Sequence, residues 1–172
     1  MEFSFALLSD DKTVEKIKDI VFEMAKMSNL IIRFQRIFLR DDKGNGTTIY
    51  VFKISNIYPQ LGISENSIDY IAILKKTSIE TQEILSKILR DGGIIVFPKR
   101  IVDASIFINK APSIIDLGDD KDEYDVIARI VSDISKLLMI SRSNVIKILR
   151  TVVKEEDENT RLIEAYRMVT RR

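Results

Sequence analysis

"IDYIAILKKTSIETQEILSKILRDGGIIVFP" (residues 68–98) is the stretch that decides the fold. Its opening, 68–76, is a near-continuous apolar run ending in two lysines, the pattern of a strand covered on both faces. Thr77 and Glu80 read as a capping box, in which hydroxyl and carboxylate satisfy each other's backbone N–H groups. They open a helix over 78–91 whose Ile84, Leu85, Ile88 and Leu89 share one face. Gly92-Gly93 ends it, since glycine takes the left-handed conformation without a side-chain clash. "GIIVFP" (93–98) then reads as a second buried strand. Two strands joined by a helix pair in parallel through a right-handed crossover, so the middle of the chain is an α/β sheet.

Outward from there, Glu2–Leu8 is a short apolar strand. Val14, Ile17, Val21, Met24 and Ala25 follow with helical spacing, and Asp10 and Asp11 stand where a helix start wants carboxylates. "LIIRFQRIFLR" (30–40), the turn "DDKGNG" and "TTIYVFKIS" (47–55) predict an antiparallel hairpin. "SIFINKAP" (105–112) predicts a further strand. After the acidic run 116–125 come three helical stripes, at 126–138, 145–152 and 162–169. The expectation is an α/β, Rossmann-like, mostly parallel sheet with an antiparallel hairpin inserted after the first helix and helices at the C-terminus. It spans 1–172 as one domain, with 115–172 as its helical part.

At 172 residues such a chain buries roughly 70% of its unfolded surface, enough for a core without staples. The sequence has no Cys and no His. That excludes disulfides, thiolate nucleophiles, Cys/His zinc sites, cysteine-ligated clusters and a Ser-His-Asp relay. A net charge of +1 gives no global attraction to nucleic acid or membrane. No apolar run approaches the roughly 18 residues of a membrane span, so no membrane partner and a cytoplasmic location are expected.

The central stretch from Asp69-Tyr70-Ile71-Ala72-Ile73-Leu74 to the glycine pair and strand resembles the gamma subunit, or gamma domain, of 2-oxoacid:ferredoxin oxidoreductases. "TTIYVFKISNIYPQLGI" (47–63) is similar to the hairpin strand and loop of that family, and "SKLLMISRSNVIKIL" (135–149) to its C-terminal helices. The resemblance implies an accessory, non-catalytic gamma-like subunit. Its complex would oxidise 2-oxoacids with thiamine diphosphate, iron–sulfur clusters and coenzyme A held by partner subunits, passing electrons to ferredoxin. No cofactor is expected on this chain. Its partners would be other oxidoreductase subunits or further copies of itself.

One stretch departs from the family. After the first strand the family has a glycine-rich turn, G-x-G-G-x-G, whereas this chain has Ser9-Asp10-Asp11-Lys12-Thr13. Glycines let backbone N–H groups approach a phosphate at a helix N-terminus. Aspartates satisfy those N–H groups internally, stabilise the helix by roughly 0.3–1 kcal/mol each and repel a phosphate. The turn therefore reads as a degenerate phosphate turn. Lys75, Lys76, Lys99 and Arg100 follow the C-terminal ends of expected strands, where open α/β sheets bind ligands, and form a candidate crevice for an anion or acidic partner.

A second resemblance leads elsewhere. "ISKLLMISRSNVIKILR" (134–150) is similar to the helix-turn-helix of DNA-binding regulators. On that alternative, residues 134–153 read DNA, with Arg142, Ser143, Asn144 and Lys147 facing the major groove. Three features oppose it. Met139 stands where the motif has glycine, and a non-glycine residue in the left-handed region costs roughly 1–2 kcal/mol. The stripe up to Leu138 is unbroken, and acidic runs flank the segment on both sides.

Overall fold

Around residues 68–97 the computed structural model, which describes residues 2–40, 42, 44, 46–60, 62–98, 100–111, 113–118 and 121–171, builds a mixed α/β fold. Along the chain come β1 (Glu2–Leu8), α1 (Asp11–Met27), β2 (Ile31–Arg40) and β3 (Gly46–Ser55). β4 (Ile68–Ile73), α2 (Ile79–Ile88) and β5 (Leu89–Phe97) follow, then a 3-10 turn (Ala104–Phe107) and β6 (Ser113–Asp116). The last elements are α3 (Glu123–Leu137), α4 (Arg142–Val152) and α5 (Glu156–Val169). The six strands form one sheet in the order β2-β3-β1-β4-β5-β6. β1, β4, β5 and β6 run parallel, and β3 runs antiparallel to β1. Residues 41–45 are too short a link for a parallel crossover, so β2 and β3 form the inserted hairpin. The expected Rossmann-like, mostly parallel sheet is the one observed.

The chain divides into two compact units. Met1–Asp10 with Ile32–Asp119 holds the sheet, α2 and the 3-10 turn; Asp11–Ile31 with Asp120–Arg172 holds the other four helices. In the sheet unit, Ala6, Leu8, Val51, Ile71, Ile73, Ile95 and Phe97 share a core with Leu85 and Ile88 of α2 and with Phe107 of the turn. The alternate side chains, Phe5, Leu7, Phe52, Tyr70, Ala72 and Val96, are buried as well. That is why these strands read as unbroken apolar runs. On this second face Phe5 and Phe52 stack at 4.3 Å between ring centroids, with Phe34 tilted against Phe52 at 4.8 Å.

Three local expectations are corrected. The N-cap of α2 is Ser78, whose Oγ accepts from Thr81 N, and not the Thr77–Glu80 box. The helix closes at Ile88 with Leu89 as its cap, three residues before the glycine pair. Ile68 pairs with Leu89 and Tyr70 with Ile94, so residues 90–93 bulge opposite Asp69. Gly92, at φ +84°, does take the left-handed conformation, but inside this bulge. A Cβ on Gly93 would lie 2.9 Å from Arg90 O and 3.0 Å from Asp69 O, so the bulge needs a second glycine. Finally, 105–112 is not a strand. Asp103 caps a 3-10 turn by accepting from Ser105 N at 3.0 Å, Phe107 is buried, and the sixth strand begins at Ser113. Pro112 lies outside the described residues.

In the helical unit, α1 buries Val14, Ile17, Ile20, Val21 and Met24 and touches both α3 and α4. α3 packs on α5, burying Ile127, Ile130, Val131 and Ile134 along with Leu162 and Tyr166. α4 contributes Val145, Ile148 and Leu149. Two of these helices end alike. After α1, Asn29 sits at φ 55°, with Leu30 N donating to Ala25 O at 2.9 Å. After α3, Met139 sits at φ 55°, with Ile140 N donating to Ser135 O at 2.8 Å. Both are Schellman caps.

Candidate functional site

Parallel strands share a direction, so the C-terminal ends of β1, β4, β5 and β6 open on one end of the sheet. Leu74 N donates to Leu8 O at 2.8 Å, carrying the β1–β4 pairing one residue past the strands. Ser9 and Asp10 therefore leave the sheet beside the 74–76 loop. Ser9 is nearly buried, and its hydroxyl donates to the Asp10 carboxylate at 3.4 Å. Asp10, Lys75, Lys76 and Arg100 are exposed. Lys99 lies outside the described residues. The structure thus brings Ser9, Asp10, Lys75, Lys76 and Arg100 to one sheet end. The unit boundary falls within the turn, and Asp11, Lys12 and Thr13 form the first turn of α1, with Thr13 buried and the other two exposed.

One residue absent from the sequence reading organises this end of the sheet. Gln82, 4% exposed on α2, accepts from Asp103 N at 2.9 Å through Oε1 and donates to Thr77 O at 3.3 Å through Nε2. It ties the loop after β4 to the loop after β5, the two loops that carry the basic residues. A buried amide with one donor and one acceptor used across two loops is a positioning device. Within the same loop the Asp103 carboxyl is held below its usual range by Ser105, whose hydroxyl donates at 2.7 Å and whose backbone N–H donates as well. The opposite sheet end is closed by Asp69, which accepts from Ser4 N at 2.8 Å and pairs with Arg90 at 2.7 Å.

The helical unit carries its own polar feature. A cleft of about 580 Å³ is lined by Lys12, Glu15, Lys16 and Asp19 of α1, by residues 152–155, and by Glu158. Lys16 bridges Glu123 at 3.1 Å and Glu158 at 3.2 Å, with the Tyr124 ring 5.4 Å from its ammonium. Burial works to lower the Lys16 pKa, but hydrogen bonds and charge from the two glutamates outweigh it and hold it above the usual value. The hydrogen bond from Lys16 in turn holds Glu158 below its usual value against burial. Tyr124 is raised, by burial first and then by the Glu158 charge. With cations and carboxylates interleaved, the cleft presents no single sign of charge to a ligand.

On α4, Arg142, Ser143 and Lys147 are exposed and Asn144 is half-buried. Asn144 N donates to the Ser141 cap at 3.4 Å, and the Arg142 guanidinium reaches Arg167 O at 3.4 Å. Among the described residues there is no cluster of three or more Asp, Glu, His or Cys placed to hold a metal ion. No described helix is long and apolar enough to cross a membrane.

No family model matches the sequence, and no curated protein matches it. Solved structures do. The pyruvate oxidoreductase subunit of Thermotoga maritima aligns over 96% of both chains with a TM-score of 0.61 and 11% identity. The gamma subunit of a keto/oxoacid ferredoxin oxidoreductase from Geobacter sulfurreducens aligns over 99% of both chains with a TM-score of 0.55 and 12% identity. The fold is that of an oxoacid oxidoreductase gamma subunit. The gamma fold also matches 2-oxoglutarate:ferredoxin oxidoreductase from Magnetococcus marinus, a structure with 2-oxoglutarate, coenzyme A and succinyl-CoA bound. There the TM-score is 0.63 at 14% identity, and 99% of this chain spans 30% of that chain's length. On this gamma fold, β1, β4 and β5 supply the sheet end described above. Gln82 escaped the sequence reading because a glutamine inside a helical stripe carries no motif; only its burial marks it.

Proposed function

We propose that the chain is a gamma-like accessory subunit of a 2-oxoacid:ferredoxin oxidoreductase-type complex, a single domain in function, with its phosphate turn lost. The observation that carries this reading is the end-to-end structural match to two oxidoreductase subunits. Thiamine diphosphate, iron–sulfur clusters and coenzyme A belong, on this reading, to partner subunits. The turn at Ser9-Asp10-Asp11-Lys12-Thr13 does not fit a phosphate. It has no glycine to bring the backbone close, and an exposed carboxylate stands at its outer end. Lys75, Lys76 and Arg100 serve as a basic strand-end surface toward acidic groups of a neighbouring subunit, with Gln82 fixing the two loops that carry them.

Co-expression with alpha- and beta-type oxidoreductase subunits from the same genome tests the assembly. A complex that co-elutes with this chain, and loses it when Lys75, Lys76 and Arg100 are changed to Glu together, is expected; no co-elution refutes the reading. Titration with coenzyme A tests the turn. Saturable binding abolished by further change at Asp10 and Asp11 would refute its loss.

One observation favours a second reading, DNA binding by 134–153. Met139 does take the left-handed conformation that the helix-turn-helix turn requires, and Arg142, Ser143 and Lys147 are exposed beyond it. A steeply salt-dependent, sequence-specific duplex shift lost on Arg142→Ala would establish it.

A further inference from the structure

The sheet has two edges, and they differ. β6 is four residues long, short enough to offer little to a passing strand. β2 is ten residues long, and its described sequence "IIRFQRIFLR" contains no Pro, Gly or Lys. A strand with a neighbour on one side only leaves alternate backbone N–H and C=O groups without a partner in the sheet. Such an edge is a template for another strand.

Its side chains restrict which strand. The Phe34 contact with Phe52 puts Ile32, Phe34, Arg36, Phe38 and Arg40 on one face, and leaves Arg33, Gln35, Ile37 and Leu39 on the other. Each face carries at least one guanidinium, and the strand has no carboxylate. Two of the three arginines are held in place by aromatic rings. Arg33 lies 3.9 Å from the Tyr58 centroid and Arg36 lies 5.8 Å from that of Tyr50. Among the described residues no ion pair engages Arg33, Arg36 or Arg40. Exposed apolar surface flanks them, with Phe38 60% and Tyr58 68% exposed. Pairing β2 with a second copy of itself would place all the arginines of both strands in one ribbon without an acid, and like charges across strands destabilise.

We propose that the β2 edge is a strand-addition site for another protein, taking an extended segment in which apolar residues alternate with carboxylates. Backbone hydrogen bonds supply the attachment, Ile32, Phe34 and Phe38 supply apolar contact, and the arginines select for acid and against a second copy. This surface is the edge of the sheet, with β3 between it and β1, and the proposal does not rest on the assignment of the chain to an oxidoreductase complex.

The full chain is titrated with two blocked decapeptides, one alternating valine with glutamate and the other valine with lysine, at low and at physiological salt. Hydrogen exchange is followed residue by residue. The glutamate peptide should bind at least about tenfold more tightly than the lysine peptide and more weakly as salt rises. Alternate amides of β2, and few elsewhere, should become protected. Changing Arg33, Arg36 and Arg40 together to Glu should reverse the preference. The pair Arg36→Glu and Arg40→Glu, both exposed, should narrow or reverse it in a chain whose fold they do not touch. Equal binding of the two peptides, binding of neither, protection outside β2, or a preference unmoved by either variant overturns the proposal. So does self-association of the unliganded chain that the double variant abolishes, since the occupant would then be a second copy.

Discussion

Replacing Met139 by glycine should stabilise the protein. Met139 ends α3 at φ 55°, where its Cβ crowds the following carbonyl. A residue with a side chain costs roughly 1–2 kcal/mol in that conformation. The side chain gives little back, because it is 83% exposed. The cap itself is made by backbone groups that glycine keeps, with Leu138 N on Ile134 O at 2.9 Å and Ile140 N on Ser135 O at 2.8 Å. Against the relief stands the greater freedom of glycine in the unfolded chain, about 0.4–1 kcal/mol. The net is a gain of roughly 0.5–1 kcal/mol, about 1–4 °C in melting temperature for a chain of this size. Urea unfolding should show the midpoint rising with an unchanged slope. Asn29 supplies the control, since it occupies the same cap at the same φ after α1. Asparagine tolerates the left-handed region better than methionine, so Asn29→Gly should gain less. A neutral or destabilising Met139→Gly, or an Asn29→Gly of equal benefit, would refute the reasoning.

Phe52→Ala should cost about 3–5 kcal/mol in chemical unfolding, because it removes a fully buried ring stacked on Phe5 and touched by Phe34. Gln82→Ala leaves Asp103 N without its acceptor, so it should cost roughly 1–3 kcal/mol. It should also speed amide exchange in the 98–103 loop more than in β4. The Lys16 cluster predicts a plateau of helical stability with two limbs. Glu158 is depressed, so its contribution is present above its ordinary value and is lost as pH falls through the lower folded one. Lys16 is raised, so its share holds up to its ordinary value and is lost as pH climbs through the higher folded one. Glu158→Gln should flatten the acid limb in pH-dependent melts and weaken the alkaline limb, which retains Glu123.

The strand–helix–strand stretch was legible because β4 and β5 are buried on both faces and so lack the alternation that a half-exposed strand would show. Burial wrote the pattern. The hairpin and the three C-terminal helices were legible for the same kind of reason, since each has one dominant period. The misreadings fall where backbone hydrogen bonding decides instead. Ile106 and Ile108 alternate like a strand, yet the Asp103 carboxylate captures Ser105 N and coils the segment. Gly92 signals a left-handed residue, but nothing in the sequence says whether that residue ends a helix or sits in a bulge three residues later. Of the site, the strand-end lysines could be placed from topology alone, whereas Gln82 could not. The division into two units was not legible either, because periodicity tells which face of α1 is buried but not against which helices.

That division has a consequence for how the polypeptide is made. α1 leaves the ribosome near the start of synthesis, but the helices of its unit begin only after Asp120. Everything from Ile32 to Asp119 must be translated in between, which at about 5–20 residues per second means several seconds. Through that interval Val14, Ile17, Ile20, Val21 and Met24 have none of the α3 or α4 surface that α1 meets in the finished chain. A nascent chain stalled before residue 120 would thus display an unsatisfied apolar helix to chaperones and proteases. Ribosome-bound chains of increasing length should lose that vulnerability late, once α3 has emerged.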